Sequence, residues 1–104
     1  MILYIDTSDF KKATFAIKGV KLVSSVYEID SHKSHETLGF LENFLKSHKL
    51  KLSYLKSIIV NKGPGSYTGV RVGVTLAQAI GFALGIPIKA VPDPQMKKFI
   101  KLLG

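Results

Sequence analysis

Cysteine is absent from the 104 residues, so no disulfide can staple the fold and thiolate chemistry is ruled out. Acidic residues are scarce as well. Seven Asp and Glu stand against fifteen Lys and Arg, a formal charge of +8. No apolar run approaches the roughly 20 residues that a membrane span needs. The opening Met1-Ile2-Leu3-Tyr4-Ile5 has no basic leader and meets Asp6 too soon for a signal peptide, so a soluble, cytoplasmic chain is expected. Arginine is nearly missing too: Arg71 alone can form a bidentate fork on a phosphate, and the lysines are scattered from Lys11 to Lys101. Scatter favours a solvated surface over a nucleic-acid footprint, with diffuse attraction to RNA as the second reading.

What is present supports one hydrophobic core. Hydrophobic residues make up 46% of the chain, which argues against disorder, and the length suits a single domain over residues 1–104. Met1 to Ile5 forms an apolar run ending at Asp6-Thr7-Ser8, a buried strand followed by a turn. Ala13 to Lys18 and Val20 to Tyr27, separated at Gly19, are expected to form a hairpin. Ser31 to Ser34 can cap a helix in which Leu38, Leu41 and Leu45 recur at helical spacing beside Phe40 and Phe44. A lysine-rich connector, Lys49 to Lys56, leads to an apolar strand, Ser57 to Val60.

The next helix, about Thr68 to Leu84, is apolar on two sides. Its polar side chains Arg71, Thr75 and Gln78 share a narrow stripe. Gly73, Ala77 and Gly81 form a small-residue ridge, while Val72, Leu76, Ala79 and Ala83 form a second apolar face. Such a helix is normally sandwiched, which leaves one face for its own sheet and the other for a neighbouring helix or another protein. Gly85 and Pro87 end it, Ile86 to Val91 is a last strand, and Pro92-Asp93-Pro94 opens a short basic helix, Gln95 to Leu103.

Three places could carry chemistry. The turn Gly63-Pro64-Gly65-Ser66-Tyr67-Thr68-Gly69-Val70-Arg71 could hold a phosphate on backbone N–H groups, with Asp6, Ser66, Thr68 and Gly69 as the candidate residues. It fits neither the Walker A pattern nor the dinucleotide fingerprint, so a structural turn is the favoured alternative. Tyr67 within it can stack on a base or act as a lid on the core, and the lid is the commoner use. His32 and His35, with Glu36, invite a metal reading, but a helical histidine pair converges on one ion at i, i+4 and these two are three apart. Asp6 is poised at the C-terminal end of a strand, where a nucleotide-dependent enzyme would need it. Thr7, Ser8 and Ser66 lack a histidine base at a defensible position, which argues against a nucleophilic hydrolase.

The glycine turn and the small-residue helix after it resemble the signature of the TsaB (YeaZ) family, which takes part in bacterial tRNA N6-threonylcarbamoyladenosine synthesis. The likeness runs from Ile2-Leu3-Tyr4-Ile5-Asp6-Thr7-Ser8 to Val91 and is strongest from Gly63 to Arg71, continuing through Gly73, Ala77 and Gln78. It implies an α/β fold, one lobe of the actin-like ATPase (ribonuclease-H-like) fold, with order β-β-β-α-β-α-β-α and a mixed five-stranded sheet. It also implies a non-catalytic scaffold without a cofactor of its own, paired with a TsaD-like catalytic subunit and joined by a TsaE-like ATPase, touching tRNA only indirectly. Leu38, Leu41, Leu45, Val70, Gly73, Ala77 and Gly81 would then form the partner interface, and a homodimer would form where the partner is missing. Two departures stand out: the second lobe typical of the family is absent from this sequence, and Val91-Pro92-Asp93-Pro94 replaces the usual Ser-rich helix start. The rival function is a small nucleotide- or metal-dependent hydrolase using Asp6, Ser66, Thr68 and His35. A third reading is a basic RNA-binding module.

Overall fold

The structure is a computed structural model that describes residues 1–9, 11–19, 22–28 and 34–103, and their side chains except those of Ser34, His35 and Leu103. Five strands form one mixed sheet in the order β3-β2-β1-β4-β5. Strand β1 (Ile2–Asp6) pairs antiparallel with β2 (Lys12–Lys18), which pairs antiparallel with β3 (Leu22–Glu28). On its other side β1 runs parallel to β4 (Ser57–Asn61), and β4 parallel to β5 (Ile88–Val91). This is the expected mixed sheet.

Alternation along the strands explains why both faces are covered. Leu3, Ile5, Phe15, Ile17, Ile58 and Val60 project to one side, where they meet Leu41, Phe44 and Leu45 of α1 (Ser34–Ser47) and Ala77 and Ile80 of α2 (Tyr67–Leu84). Tyr4 and Ala16 project to the other, beneath Met96, Phe99 and Ile100 of α3 (Asp93–Leu103). The Tyr4 and Phe99 rings lie tilted with centroids 5.6 Å apart, a favourable aromatic arrangement. The even-numbered side of β1, which also carries Asp6, therefore belongs to α3.

Helix ends are set by local chemistry. Glu36 sits in the first turn of α1 and Lys46 in the last, each matching the helix dipole. Ser66 caps α2 by accepting a hydrogen bond from Gly69 N, and Gly85, at φ 65°, closes it with its N–H directed at the Gly81 and Phe82 carbonyls. Pro87 follows, where a further helical turn would need its missing N–H. The basic connector contains a short 3-10 turn, Leu52–Tyr54. The last helix begins at Asp93, two residues before the position expected from sequence.

The small-residue ridge of α2 corrects a sequence expectation. Gly73, Ala77 and Gly81 are buried against the chain's own sheet, together with Gly69 and Ile80. A Cβ at position 73 would collide with Thr7 Oγ1, and one at position 81 would lie 2.7 Å from Ile88 Cγ2. Leu41 and Leu45 are likewise buried in the core beneath α1. None of these five can offer its side chain to a partner. Leu38 and Val70 are half-buried. A helical wheel shows two apolar faces on α2, but the smaller residues are the ones that let the helix backbone approach the sheet.

Ala77→Glu should therefore unfold the chain rather than merely detach a partner. A carboxylate would enter a fully buried site with no cation beside it, a cost of about 4 kcal/mol or more. Loss of the cooperative thermal transition by circular dichroism is the expected result. Gly73→Ala should cost about 1–3 kcal/mol through overpacking, and less in a Thr7→Ala background where the hydroxyl is gone. A double-mutant cycle on denaturation midpoints checks this.

Candidate functional site

Parallel strands β1, β4 and β5 all end on the same edge of the sheet, where α2 leaves on one face and α3 on the other. In open α/β sheets this edge is the usual place for a ligand. Here it carries a polar cluster. Asp6 is the last residue of β1, Asn61 the last of β4, and Asp93 and Lys97 lie one turn apart at the start of α3.

The hydrogen bonds of this cluster can be counted donor by donor. Asp6 Oδ1 accepts from Ser8 N at 3.0 Å, Ser8 Oγ at 2.7 Å and Asn61 Nδ2 at 3.0 Å, while Oδ2 accepts from Lys97 Nζ at 2.5 Å. The second amide proton of Asn61 goes to Asp93 Oδ1 at 2.8 Å, and Asn61 Oδ1 accepts from Gly63 N at 2.7 Å. Lys97 also donates to Ser8 Oγ at 3.2 Å and lies 3.4 Å from Asp93 Oδ1. Ser8 Oγ has one proton; Asp6 Oδ1 is nearer to it than Asp93 Oδ1, which lies at 3.2 Å. Each buried polar group thus has a partner within the chain.

Charge distribution in the cluster follows from these bonds. The hydrogen bond from Asn61 holds the Asp93 carboxyl below its ordinary range; partial burial opposes this, and the Lys97 charge and hydrogen bond add to it. Burial disfavours the Lys97 ammonium, but the hydrogen bond and charge of Asp6, with Asp93 behind them, outweigh burial and raise its pKa. Both groups are charged at neutral pH. Asp6 itself is 4% exposed, with both oxygens engaged, so it is arranged as a tie between β1, β4 and α3 rather than as a base facing a substrate.

The glycine turn serves the same junction. A Cβ on Gly65 would lie 2.7 Å from Ser8 Cβ and 2.8 Å from Ser8 O, and Ser66 N donates to that carbonyl at 2.7 Å. Thr7 Oγ1 donates to Gly69 O at 2.5 Å. The close approach that glycine permits is spent on the chain's own Thr7 and Ser8. Of the four phosphate candidates, Asp6 has both oxygens hydrogen-bonded in the network, Ser66 Oγ caps α2 by accepting from Gly69 N, and Thr68 is exposed at the surface. Apart from the exposed Thr68, these groups are thus engaged within the chain.

Tyr67 overturns the lid reading, since it is 75% exposed. His32 and the His35 side chain lie outside the described residues, and among the described residues no group of three or more His, Asp or Glu could hold a metal. No helix among the described residues is long and apolar enough to cross a membrane. Sequence reasoning found Asp6 but missed Asn61, Asp93 and Lys97. The signals available were Asn61 ending a strand parallel to β1 and the i, i+4 spacing of Asp93 and Lys97.

Comparison with known proteins shows the family of the chain. The family model described as "TsaD: tRNA N6-adenosine threonylcarbamoyltransferase" matches residues 27–96. The tRNA threonylcarbamoyladenosine biosynthesis protein TsaB of Bacillus subtilis is 35% identical over 91 residues, 86% of this chain and 40% of that protein. The structure described as YeaZ from Pseudomonas aeruginosa superposes with a TM-score of 0.78 at 29% identity, over 88% of this chain and 43% of the other. The chain belongs to the TsaB (YeaZ) family. It spans less than half the length of these two TsaB and YeaZ relatives, matching part of each. A RuvC structure from T. thermophilus in complex with a Holliday junction substrate shares the fold alone, with a TM-score of 0.59 at 15% identity over 93% of this chain and 67% of the other. The TsaB-type lobe therefore has the ribonuclease-H-like, actin-like ATPase arrangement expected from its sequence.

Lys97→Met should lower stability by about 1 kcal/mol, a modest figure because the lysine side chain is half exposed. The difference between parent and variant should be level from about pH 5 to pH 10. Above that it shrinks, because the raised Lys97 pKa contributes stability that is whole below the ordinary lysine value and lost as the ammonium deprotonates. Toward acid it shrinks again: the Asn61 hydrogen bond, the larger cause of the lowered Asp93 pKa, is kept in the variant, but the part that Lys97 adds is lost as that carboxyl is protonated. Urea midpoints of both proteins across pH 3 to 11 check the shape; an unchanging difference would contradict it.

Proposed function

We propose that this lobe is a non-catalytic scaffold in tRNA N6-threonylcarbamoyladenosine synthesis, binding and supporting a TsaD-like catalytic subunit, with a TsaE-like ATPase in the wider complex. The observation that carries the reading is the 35% identity to TsaB over 86% of the chain. Two features of the site support it. Asp6, the strand-end carboxylate on which a nucleotide-dependent mechanism would rely, is committed to four hydrogen bonds within the chain. Ser66, the hydroxyl of the glycine turn, is committed as a helix cap.

The docking surface in this reading is the outward side of α2, not its buried ridge. Phe82 stands 92% exposed near the C-terminal end, with Ala79 and Ala83 exposed beside it and Val72 and Leu76 half-exposed. An aromatic ring left this open on an apolar helix is suited to a packed interface. Without the catalytic subunit, the same face would serve a symmetric homodimer. The work would be cytoplasmic, where tRNA is modified.

Phe82→Glu should abolish co-purification with a TsaD-type protein while leaving the thermal midpoint within a few degrees of the parent. This separates docking from folding, which Ala77→Glu cannot do. Retained pairing at micromolar concentrations would move the interface off this face. Saturable binding of Mg-ATP by the isolated chain in calorimetry would instead favour the hydrolase reading.

A further inference from the structure

Tyr67 opens α2 with its ring in solvent, and one turn later comes Arg71, the single arginine of the sequence. The guanidinium carbon lies 5.3 Å from the ring centroid, and Arg71 Nη1 donates to Tyr67 Oη at 2.9 Å. Two planar groups are thus held in fixed relation at the surface. Beside them is a groove of about 230 Å³ lined by Tyr67, Thr68, Arg71, Val72 and Thr75. Its lining is partly apolar and includes the two threonines besides the Tyr67 phenol, and no acidic residue occurs anywhere in the helix.

A ligand for this groove has to offer a flat π-face to the ring and guanidinium and polar edges to the hydroxyls. It should also carry negative charge, because the chain is at +8 and the groove holds a cation without a carboxylate. An unpaired nucleotide has all three properties: the base stacks, its edges hydrogen-bond and its phosphate answers the basic surface. An acidic protein segment would satisfy the charge but leave the exposed ring face without a flat partner. We propose that Tyr67 and Arg71 form a stacking platform for one unpaired base of an RNA strand.

The platform is largely separate from the proposed partner face, sharing with it the half-exposed Val72. Phe82 lies fifteen positions beyond Tyr67, about 22 Å along the helix, so the two ends of α2 can be occupied separately. Ordering Arg71 against Tyr67 before the base arrives reduces the side-chain entropy lost on binding. The scattered lysines supply long-range attraction, and the platform supplies the preference for a base over bare phosphate.

The test is fluorescence anisotropy of a labelled, unstructured RNA decamer and of an abasic strand of equal length, at 50 and 200 mM salt. Tyr67→Ala should weaken decamer binding about tenfold at both salt concentrations and leave abasic binding unchanged. Tyr67→Phe should keep most of the affinity, while Arg71→Lys, which retains the charge but loses the plane, should lose several-fold. Both side chains are exposed, so thermal midpoints should stay at the parental value. The proposal is overturned if the parent shows no saturable decamer binding, if the abasic strand binds as tightly, or if Tyr67→Ala binds the decamer like the parent. An effect of Tyr67→Ala on TsaD-type pairing alone, with RNA binding intact, assigns the platform to protein and also overturns it.

Discussion

One buried carboxylate organises this fold. Asp6 stands where β1 ends, and its four hydrogen bonds reach the following turn, the end of β4 and the first turns of α3. A buried carboxylate is favoured when its oxygens are paired and hydrogen-bonded, and each of those partners contributes to holding Asp6 in place. Asn61 is the hinge of the arrangement, joining Asp6 and Asp93 through its amide and holding Gly63 through its carbonyl. The glycine turn begins from that bond and is pressed against Ser8, which fixes the starting point of α2. Both faces of the sheet are in this way referred to one atom group.

The same constraint bears on function. A strand-end carboxylate in a crevice between two helices is a common starting point for metal or phosphate chemistry, but its usefulness depends on free lone pairs facing a ligand. In this chain a lysine ammonium faces one oxygen and three donors face the other. The polar edge of the sheet therefore works as an internal tie, and the outer side of α2 is among the surfaces left open. An exposed aromatic at each end of that helix, Tyr67 and Phe82, is what the fold presents outward.

Much of this was legible in the residues. The apolar run at the start of the chain, the two runs separated at Gly19, the glycine at the end of α2 and the family signature from Gly63 to Arg71 pointed to the element order and the lobe. Asp6 was recognisable because a strand visibly stops there. The partner ridge was misread because a helical wheel shows that α2 has two apolar faces without saying which one meets the sheet. Gly73 beside Thr7 and Gly81 beside Ile88 supply that information only in three dimensions. Lys97 was hidden for another reason: among fourteen lysines, nothing local distinguishes the one that turns back onto a carboxylate 91 residues away. Tyr67 was assigned to the core on frequency, whereas it stands exposed in the first turn of α2.

The central claim is that Asp6 seats α3 on the sheet. Amide hydrogen exchange of an Asp6→Ala variant tests it most directly, because exchange reports each element separately. The account predicts that amides of α3 lose protection toward the level of an undocked helix while those of β1 and β4 remain the slowest in the chain. Protection of α3 equal to that of the parent protein would contradict it.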